Sequence, residues 1–413
     1  MTKISNDEVQ NSQISNKLDG IFIHKFWAFP IFGLFLWLLF QITFGIGEYG
    51  TFFINYCFER LAIFVTATIP YGPMRSLAVD GIIAGVGGVM EFLPNILILF
   101  LGISVMEQTG YMARASFITD NFMRKIGLNG RCFTPSIMGM GCSVPAIMAA
   151  RSIENPSDRI KTILLIPLVS CSAKLPFFIL FAGAFFPNNA ANVVFFFTIV
   201  LSFSAFAVSS FLFKKTLFRN AKSAPYFMQL PPYKIPKIRS IFAETLHNVE
   251  HYLIKIGTIV LLFSVILWYM GNYPQTDNEA VIENTYIGKL GQVLEPLVLP
   301  FGNDWRSAVA IATGLAGKEV IVSSMGVLYA VGSDACEENE NLREILAKHF
   351  TPLSALALMW FVLVYTPCAA AFIAQIRELN NWRWSAFALF YQLALAWFGA
   401  VAIYQIGKIL GFE

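Results

Sequence analysis

Long apolar stretches separated by short polar segments run along most of the chain. A helix needs about 20 apolar residues to cross the roughly 30 Å hydrocarbon core of a bilayer. Stretches of this length predict about eight transmembrane helices, at 26–46, 84–106, 160–186, 191–212, 252–271, 307–330, 352–374 and 385–409. The pattern therefore predicts an all-α polytopic membrane protein.

The polar segments divide the chain into regions. Its first residues lack the apolar core and cleavage site of a signal peptide, which predicts a disordered tail. The longest polar connection lies between the fourth and fifth predicted spans. We therefore predict a disordered tail (1–16), a membrane-proximal basic helix (17–25), a first membrane half (26–212), a cytoplasmic linker (213–251) and a second membrane half (252–413).

Composition and charge agree with a lipid environment. The chain is 56% hydrophobic and only 13% charged, with 40 phenylalanines. Its net charge of +3 does not indicate nucleic acid binding, because the basic residues are grouped by membrane side. Basic residues before the first span and in the linker predict that both lie in the cytoplasm of a multi-pass membrane protein. The distribution of the six cysteines is unlike that of a disulfide framework, so we expect free thiols.

One apolar segment, 132–150, is predicted to be broken rather than spanning. Basic loops flank it on both sides, and a full span would put them on opposite faces of the membrane. Glycines and prolines interrupt any regular helix there, and irregular backbone at membrane depth survives only inside protein or beside a wet cavity. We therefore predict a re-entrant or broken segment in which 139–145 lines the solute path.

A partner for this segment lies near the C-terminus. YTPCAAAFIAQIR (365–377) aligns without a gap over GMGCSVPAIMAAR (139–151), and Cys precedes Arg by nine residues in each. Transporters often build a midplane site from such paired discontinuous helices. Parallel and inverted arrangements both remain open, as does the side of the C-terminus. The predicted gate or hinge residues are Gly139, Gly141, Pro145, Pro176, Thr366 and Pro367.

Three thiols, Cys142, Cys171 and Cys368, lie in broken apolar segments. A single Cys in a membrane helix is usually a small apolar filler. Three at helix breaks instead suggest a path for a soft or borderline cation such as Fe(II), Zn(II) or Cu(I).

Four ionisable residues also lie in or beside apolar runs: Glu107, Lys174, Lys318 and Glu319. Each costs about 2.5–3.5 kcal/mol in a membrane if unpaired, so we consider them polar path candidates, with snorkelling or local pairing as the alternative. The GLAGKE sequence at 314–319 fails the phosphate-loop pattern at both ends. We expect a transporter rather than an enzyme, and no nucleotide on this chain.

Several motifs together resemble the membrane region of the ferrous iron transport protein B (FeoB) family. They are LDGIFIHKFWAFPIF (18–32), MEQTGYMARASF (106–117), MRKIGLNGR (123–131), GMGCSVPAIMAAR (139–151), PLVSCSAKLPFF (167–178), LPPYKIPKIRS (230–240), NDWRSAVAIATGLAGKEV (303–320) and FTPLSALALMWFVLVYTPC (350–368). The resemblance implies an Fe²⁺ importer of a bacterial or archaeal inner membrane, with two gate motifs of the nucleoside-recognition type. It also implies that Cys142, Cys171 and Cys368 are the iron-path residues.

The chain departs from the family pattern in two places within the motifs. Ser172, Ala173 and Lys174 stand where Gly-Ala-Arg is usual, and Gln229 replaces a Glu. Family members also begin with a GTP-binding domain, whereas about 16 residues precede the membrane-proximal helix here. The alternatives are a split transporter with a separate GTPase, a shortened form of a longer protein, or transport without nucleotide control.

The resemblance implies several partners besides membrane lipid. We expect a separate GTP-binding FeoB-type protein, a small Feo accessory protein and possible homo-oligomers. Two other functions stay open: a gate-motif transporter of nucleosides or another organic solute, and a non-transporting membrane subunit. The first of these would need polar side chains at the breaks, where Asn, Gln and acidic residues are sparse.

Overall fold

The computed structural model describes residues 20, 28–91, 93–219, 233, 237–252, 258–274, 284–315, 317–318, 320–329, 340–365 and 368–411. Every regular element in these ranges is helical, which confirms the predicted all-α fold class. The predicted tail at 1–16 lies outside the described residues. So does the predicted basic helix at 17–25, apart from residue 20.

The α-helices, in chain order, are α1 (Ala28–Thr68), α2 (Pro73–Ser76), α3 (Ala84–Glu91), α4 (Leu93–Gln108), α5 (Tyr111–Ile126), α6 (Phe133–Met138), α7 (Ser143–Ala149), α8 (Pro156–Leu165), α9 (Leu175–Phe185), α10 (Ala190–Phe195), α11 (Ser202–Lys215), α12 (Ile238–Tyr252), α13 (Thr258–Asn272), α14 (Tyr286–Val298), α15 (Trp305–Thr313), α16 (Val320–Leu328), α17 (Glu340–His349), α18 (Pro352–Val364), α19 (Ala369–Leu379) and α20 (Trp382–Ile409). Two π-helical stretches, Leu77–Ile83 and Phe196–Leu201, join neighbouring α-helices. Short 3₁₀ turns include Ala150–Ser152, Ile166–Leu168 and Ser172–Lys174.

Six helical segments of the described chain are long and apolar enough to cross a membrane: Pro30–Thr68, Pro73–Gln108, Pro156–Phe185, Pro187–Lys215, Pro352–Leu379 and Trp382–Ile409. They correspond to six of the eight predicted spans. The prediction of a continuous span at 307–330 was wrong, because the chain leaves the helix between α15 and α16. Of the span predicted at 252–271, the structure describes the 15-residue helix α13.

The first helix is longer than predicted, since α1 continues past residue 46 to Thr68. The Gly-Glu-Tyr-Gly sequence at 47–50 resembles a turn, but no proline follows until Pro70, so the helix is not interrupted. The added turns expose large aromatic side chains, among them Phe52, Phe53 and Phe64. Such an apolar surface fits contact with lipid. Together with the six long apolar segments, it identifies a multi-pass membrane protein.

The described residues form two compact units, and both draw on both predicted membrane halves. Unit 1 is built from residues within Met1–Thr134, Ser152–Arg159 and Phe218–Leu261, and unit 2 from residues within Pro135–Arg151, Ile160–Leu217 and Leu262–Glu413. The boundaries of the predicted halves stay a prediction.

Each unit has its own helix packing. In unit 1, α4 packs against α1, α5 and α12. In unit 2, α18 packs against α20 and α9, and the core contains the fully buried rings of Phe177, Phe178 and Phe181. The centroids of the Phe177 and Phe181 rings are 4.5 Å apart. All three predicted iron-path thiols belong to unit 2.

Candidate functional site

The three predicted path thiols occupy equivalent local positions, because each lies where an interrupted helix resumes. Cys142 directly precedes α7, Cys171 precedes the turn Ser172–Lys174 that leads into α9, and Cys368 precedes α19. The backbone of each is non-helical, and each side chain is half-buried. The five described cysteines form no disulfides among themselves.

The first break, residues 139–142, confirms the predicted interruption of the segment 132–150. Helix α6 ends at Met138 and α7 begins at Ser143. Gly139 leaves room for a close approach: a Cβ there would lie 3.0 Å from the Ser136 carbonyl oxygen and 3.4 Å from the Ile166 side chain. Pro145 falls in the first turn of α7, where a missing N–H costs little. The hinge role predicted for Gly139, Gly141 and Pro145 stays a prediction.

The first break is hydrogen-bonded to the second break, residues 169–174. The Gly141 carbonyl accepts from the backbone N–H of Ser172 at 3.4 Å and from its hydroxyl at 2.9 Å. The residue that follows Cys171 is therefore bonded to the residue that precedes Cys142.

We expect Ser172→Ala to lower the free energy of unfolding by about 1 kcal/mol, because one hydrogen bond to the Gly141 carbonyl is lost while the backbone bond remains. Denaturant unfolding in mixed micelles would measure the loss. Ser204→Ala is a matched control, since the exposed Ser204 hydroxyl donates only to the Leu201 carbonyl three residues earlier, at 2.8 Å. Equal losses for both variants would contradict a role for Ser172 in joining the breaks.

A similar bond joins two breaks in the C-terminal part of unit 2. The backbone N–H of Ala369, the residue after Cys368, donates to the Leu315 carbonyl at 2.7 Å. Leu315 lies in a break between α15 and α16 that we call the third break, and Cys368 belongs to the fourth break, between α18 and α19. Cys368 and Cys171 are alike in that the residue after each donates its backbone N–H to an earlier break. The sequence repeat, in contrast, aligned Cys368 with Cys142. That alignment stays a prediction.

The third break was not predicted, because no proline interrupts the apolar run at 307–330. A Cβ on Gly314 would lie 2.5 Å from the Tyr365 hydroxyl oxygen, so this position requires glycine for close packing. Lys318, which is 2% exposed, places its Nζ 3.0 Å from the centroid of the Tyr365 ring. The pair Gly314 and Gly317, compared with Gly139 and Gly141, could have indicated the break.

Side chains from later helices hold the end of α8, just before the second break. Gln375 Nε2 donates to the Ile163 carbonyl at 2.9 Å, and the Tyr391 hydroxyl donates to the Leu164 carbonyl at 3.0 Å. The last carbonyls of a helix lack partners within it. These bonds therefore stabilise a helix end inside the protein and fix where the break carrying Cys171 begins.

The remaining predicted residues lie in different parts of the structure. Lys174 is 2% exposed in the second break, and Pro176 lies in the first turn of α9. Glu107 is exposed near the end of α4 and belongs to unit 1. Glu319, Thr366 and Pro367 lie outside the described residues, so their predicted roles stay predictions.

The thiols do not form a preassembled metal centre. Within the described ranges, no three His, Cys, Asp or Glu side chains come together in a group that could hold a metal ion. The assignment of Cys142, Cys171 and Cys368 to an iron path stays a prediction.

Comparison with known proteins adds two family models. A model described as nucleoside recognition (Gate) matches residues 89–185 and 253–382, more than half of the chain, and includes all four breaks. A model described as the C terminus of ferrous iron transport protein B matches residues 195–247. No solved structure matches the chain.

Curated relatives match nearly the whole chain. The Fe(2+) transporter FeoB of Campylobacter jejuni is 39% identical, and the match covers 99% of this chain and 68% of that protein. A fusion of Fe(2+) transport protein A with Fe(2+) transporter FeoB in Porphyromonas gingivalis is 41% identical over 96% of this chain and 52% of its own length. The FeoB of Methanocaldococcus jannaschii is 40% identical, with 91% and 56% covered. The chain thus spans between about half and two thirds of these relatives, and it belongs to the Fe(2+) transporter FeoB family.

Proposed function

We propose that this chain moves Fe²⁺ across the cytoplasmic membrane along a path lined by Cys142, Cys171 and Cys368. The observation that carries the proposal is the placement of all three thiols, within one compact unit, at the points where broken helices resume. Membership in a family whose relatives are named as Fe(2+) transporters supports the choice of metal.

The chemistry of the breaks suits a passing divalent cation. Thiolates bind borderline metals such as Fe(II) well and bind Na⁺ or Mg²⁺ poorly. Interrupted helices also leave backbone carbonyls that can replace part of the water shell of an ion. Because the described residues contain no three-ligand metal group, the ion engages the thiols one or two at a time and is released from each.

The orientation and partners form part of the same proposal. The basic residues before the first span and in 213–251 support a cytoplasmic location for the N-terminus and that segment. A partner of the Fe(2+) transport protein A type is supported by the relative in which that protein is fused to FeoB. A separate GTP-binding protein is the further partner that the family resemblance implies.

Flux into proteoliposomes tests the function. The purified chain is reconstituted around an iron-sensitive dye, and Fe²⁺ is added with a reductant that keeps it ferrous. We expect dye quenching above that of protein-free liposomes, and Mg²⁺ in large excess should not compete. Labelled uridine in parallel vesicles tests the nucleoside transporter that the description of the gate model favours.

Two results would overturn the proposal. Uridine entry without Fe²⁺ entry would assign the chain to organic solutes. No flux of either solute, with or without the accessory protein and a GTP-binding partner, would identify a non-transporting membrane subunit.

A further inference from the structure

The side chain of Lys174 joins the second and fourth breaks. Its Nζ donates to the Leu363 carbonyl at 2.6 Å and to the Pro167 carbonyl at 3.3 Å. Lys174 is 2% exposed, and all three residues belong to unit 2. A lysine so completely buried must be stabilised by the groups around its amine.

Both acceptors lie at the C-terminal ends of interrupted helices. Pro167 belongs to the turn Ile166–Leu168 that ends the helical run before Cys171, and Leu363 lies in the last turn of α18, before Cys368. Carbonyls at a helix C-terminus lack intrahelical partners and carry partial negative charge. Broken transporter helices use such ends to hold cations. The Lys174 amine therefore takes the position that a small cation would favour.

The second break contains a further polar group suited to a ligand. The backbone N–H of Lys174 donates to the Cys171 carbonyl at 3.1 Å, and Leu363 precedes Cys368 by five residues. Ser170, in the second break and 5% exposed, has a hydroxyl oxygen with no hydrogen-bond partner among the described residues. A buried hydroxyl without a partner costs free energy, and such groups commonly serve a ligand or water.

We propose that the carbonyls of Pro167 and Leu363 form a cation site that the Lys174 ammonium occupies as a tethered cation. By bonding both helix ends, Lys174 also positions Cys171 and Cys368. This inference deepens the proposed function. A role of Lys174 in iron passage rests on that function, but the occupation of the cation site by Lys174 does not.

The charge of the ammonium can be tested without measuring iron flux. One set of variants keeps only Cys171 as a reactive thiol and another keeps only Cys368, with the other five cysteines replaced by serine. The labelling rates of a cationic and an anionic methanethiosulfonate are then compared in detergent. Removing a nearby positive charge should raise the ratio of cationic to anionic rates about tenfold in Lys174→Met. Lys174→Arg and the exposed-site control Lys215→Met should leave the ratio unchanged.

Chemical rescue tests the site itself. Lys174→Ala leaves a space the size of an alkylammonium ion, so methylammonium should raise its thermal unfolding midpoint towards that of the unmodified chain. Lys174→Met fills the same space with an apolar group and should not respond. Tetramethylammonium, which cannot donate hydrogen bonds, should be ineffective.

The outcomes separate this inference from a purely structural role. An unchanged rate ratio in folded Lys174→Met, or no methylammonium response in folded Lys174→Ala, would overturn the tethered cation. If both variants fail to fold, Lys174→Arg decides: a folded protein with the original ratio supports the site, and a misfolded one refutes it. Because none of these readouts needs Fe²⁺ transport, a chain that proves unable to move iron could still pass them.

Discussion

Replacing Cys142, Cys171 and Cys368 together by serine is expected to reduce Fe²⁺ uptake in proteoliposomes to the level of protein-free vesicles. Serine keeps the approximate size of each side chain but replaces a soft sulfur donor by a hard, weakly binding oxygen. On the proposed path the ion passes the thiols in succession. Each single replacement should therefore lower the initial rate by about tenfold, a typical cost of disturbing a metal site.

Cys57→Ser is the matched control for this experiment. Cys57 is exposed on α1 in unit 1, and its replacement should leave uptake unchanged. All variants must show the thermal unfolding midpoint of the unmodified chain, so that a lost rate is not a lost fold. Wild-type uptake by the triple variant would exclude the thiol path while leaving iron transport itself standing.

The second large effect concerns the ion pair between Arg151 and Glu378. Arg151 follows α7, and Glu378 lies in the last turn of α19, so the pair joins the helices that begin after Cys142 and Cys368. Arg151 Nε donates to the two carboxylate oxygens at 2.7 and 2.8 Å, and its Nη2 also bonds the carboxylate. The Arg151 side chain is 62% exposed, whereas that of Glu378 is 8% exposed.

This asymmetry predicts unequal costs for the two partners. Arg151→Ala leaves a buried carboxylate without its cation, and we expect a loss of about 2–3 kcal/mol in the free energy of unfolding. Glu378→Gln leaves only an arginine that water can solvate, and we expect about 1 kcal/mol. Denaturant unfolding in mixed micelles measures both.

An exposed pair provides the control. Arg131 and Glu154 are 2.5 Å apart, but the Glu154 side chain is 82% exposed, so Glu154→Gln should cost less than about 1 kcal/mol. If Arg151→Ala were no more costly than Glu154→Gln, the pair would not stabilise the contact between α7 and α19. Restoration of stability by the exchanged pair Arg151→Glu with Glu378→Arg would confirm that the two side chains act on each other.

The sequence was informative wherever a local signal decided the structure. Glycines and prolines around Cys142 predicted the first break, and the length of the apolar runs identified six helical segments that the structure retains. The third break was missed because 307–330 contains no proline and its apolar character continues through Gly314 and Gly317. The first predicted span ended with its apolar run at residue 46, whereas the helix continues without interruption to Thr68.

Contacts between distant residues could not be predicted in this way. The position of Lys174 in an apolar run suggested a polar path group, but its partner Leu363 is 189 residues away and contributes a backbone carbonyl, which leaves no sequence signature. The ring of Tyr365 beneath Lys318 is similarly non-local. Glu107 was predicted as a polar path candidate on the same ground as Lys174, because it lies at the edge of an apolar run. The structure places it exposed at a helix end in unit 1.

Unit 2 is built from distant parts of the chain, and this has a consequence for biosynthesis. Its N-terminal portions, within Pro135–Arg151 and Ile160–Leu217, complete their core only with residues from Leu262–Glu413. While the ribosome is still translating the middle of the chain, Lys174 has no Leu363 carbonyl to bond. The nascent N-terminal portion must therefore remain in the membrane with a loosely packed unit until translation nears its end. Mutations in α18 and α19 should consequently lower the yield of inserted protein through premature degradation, even when they leave the mature fold intact.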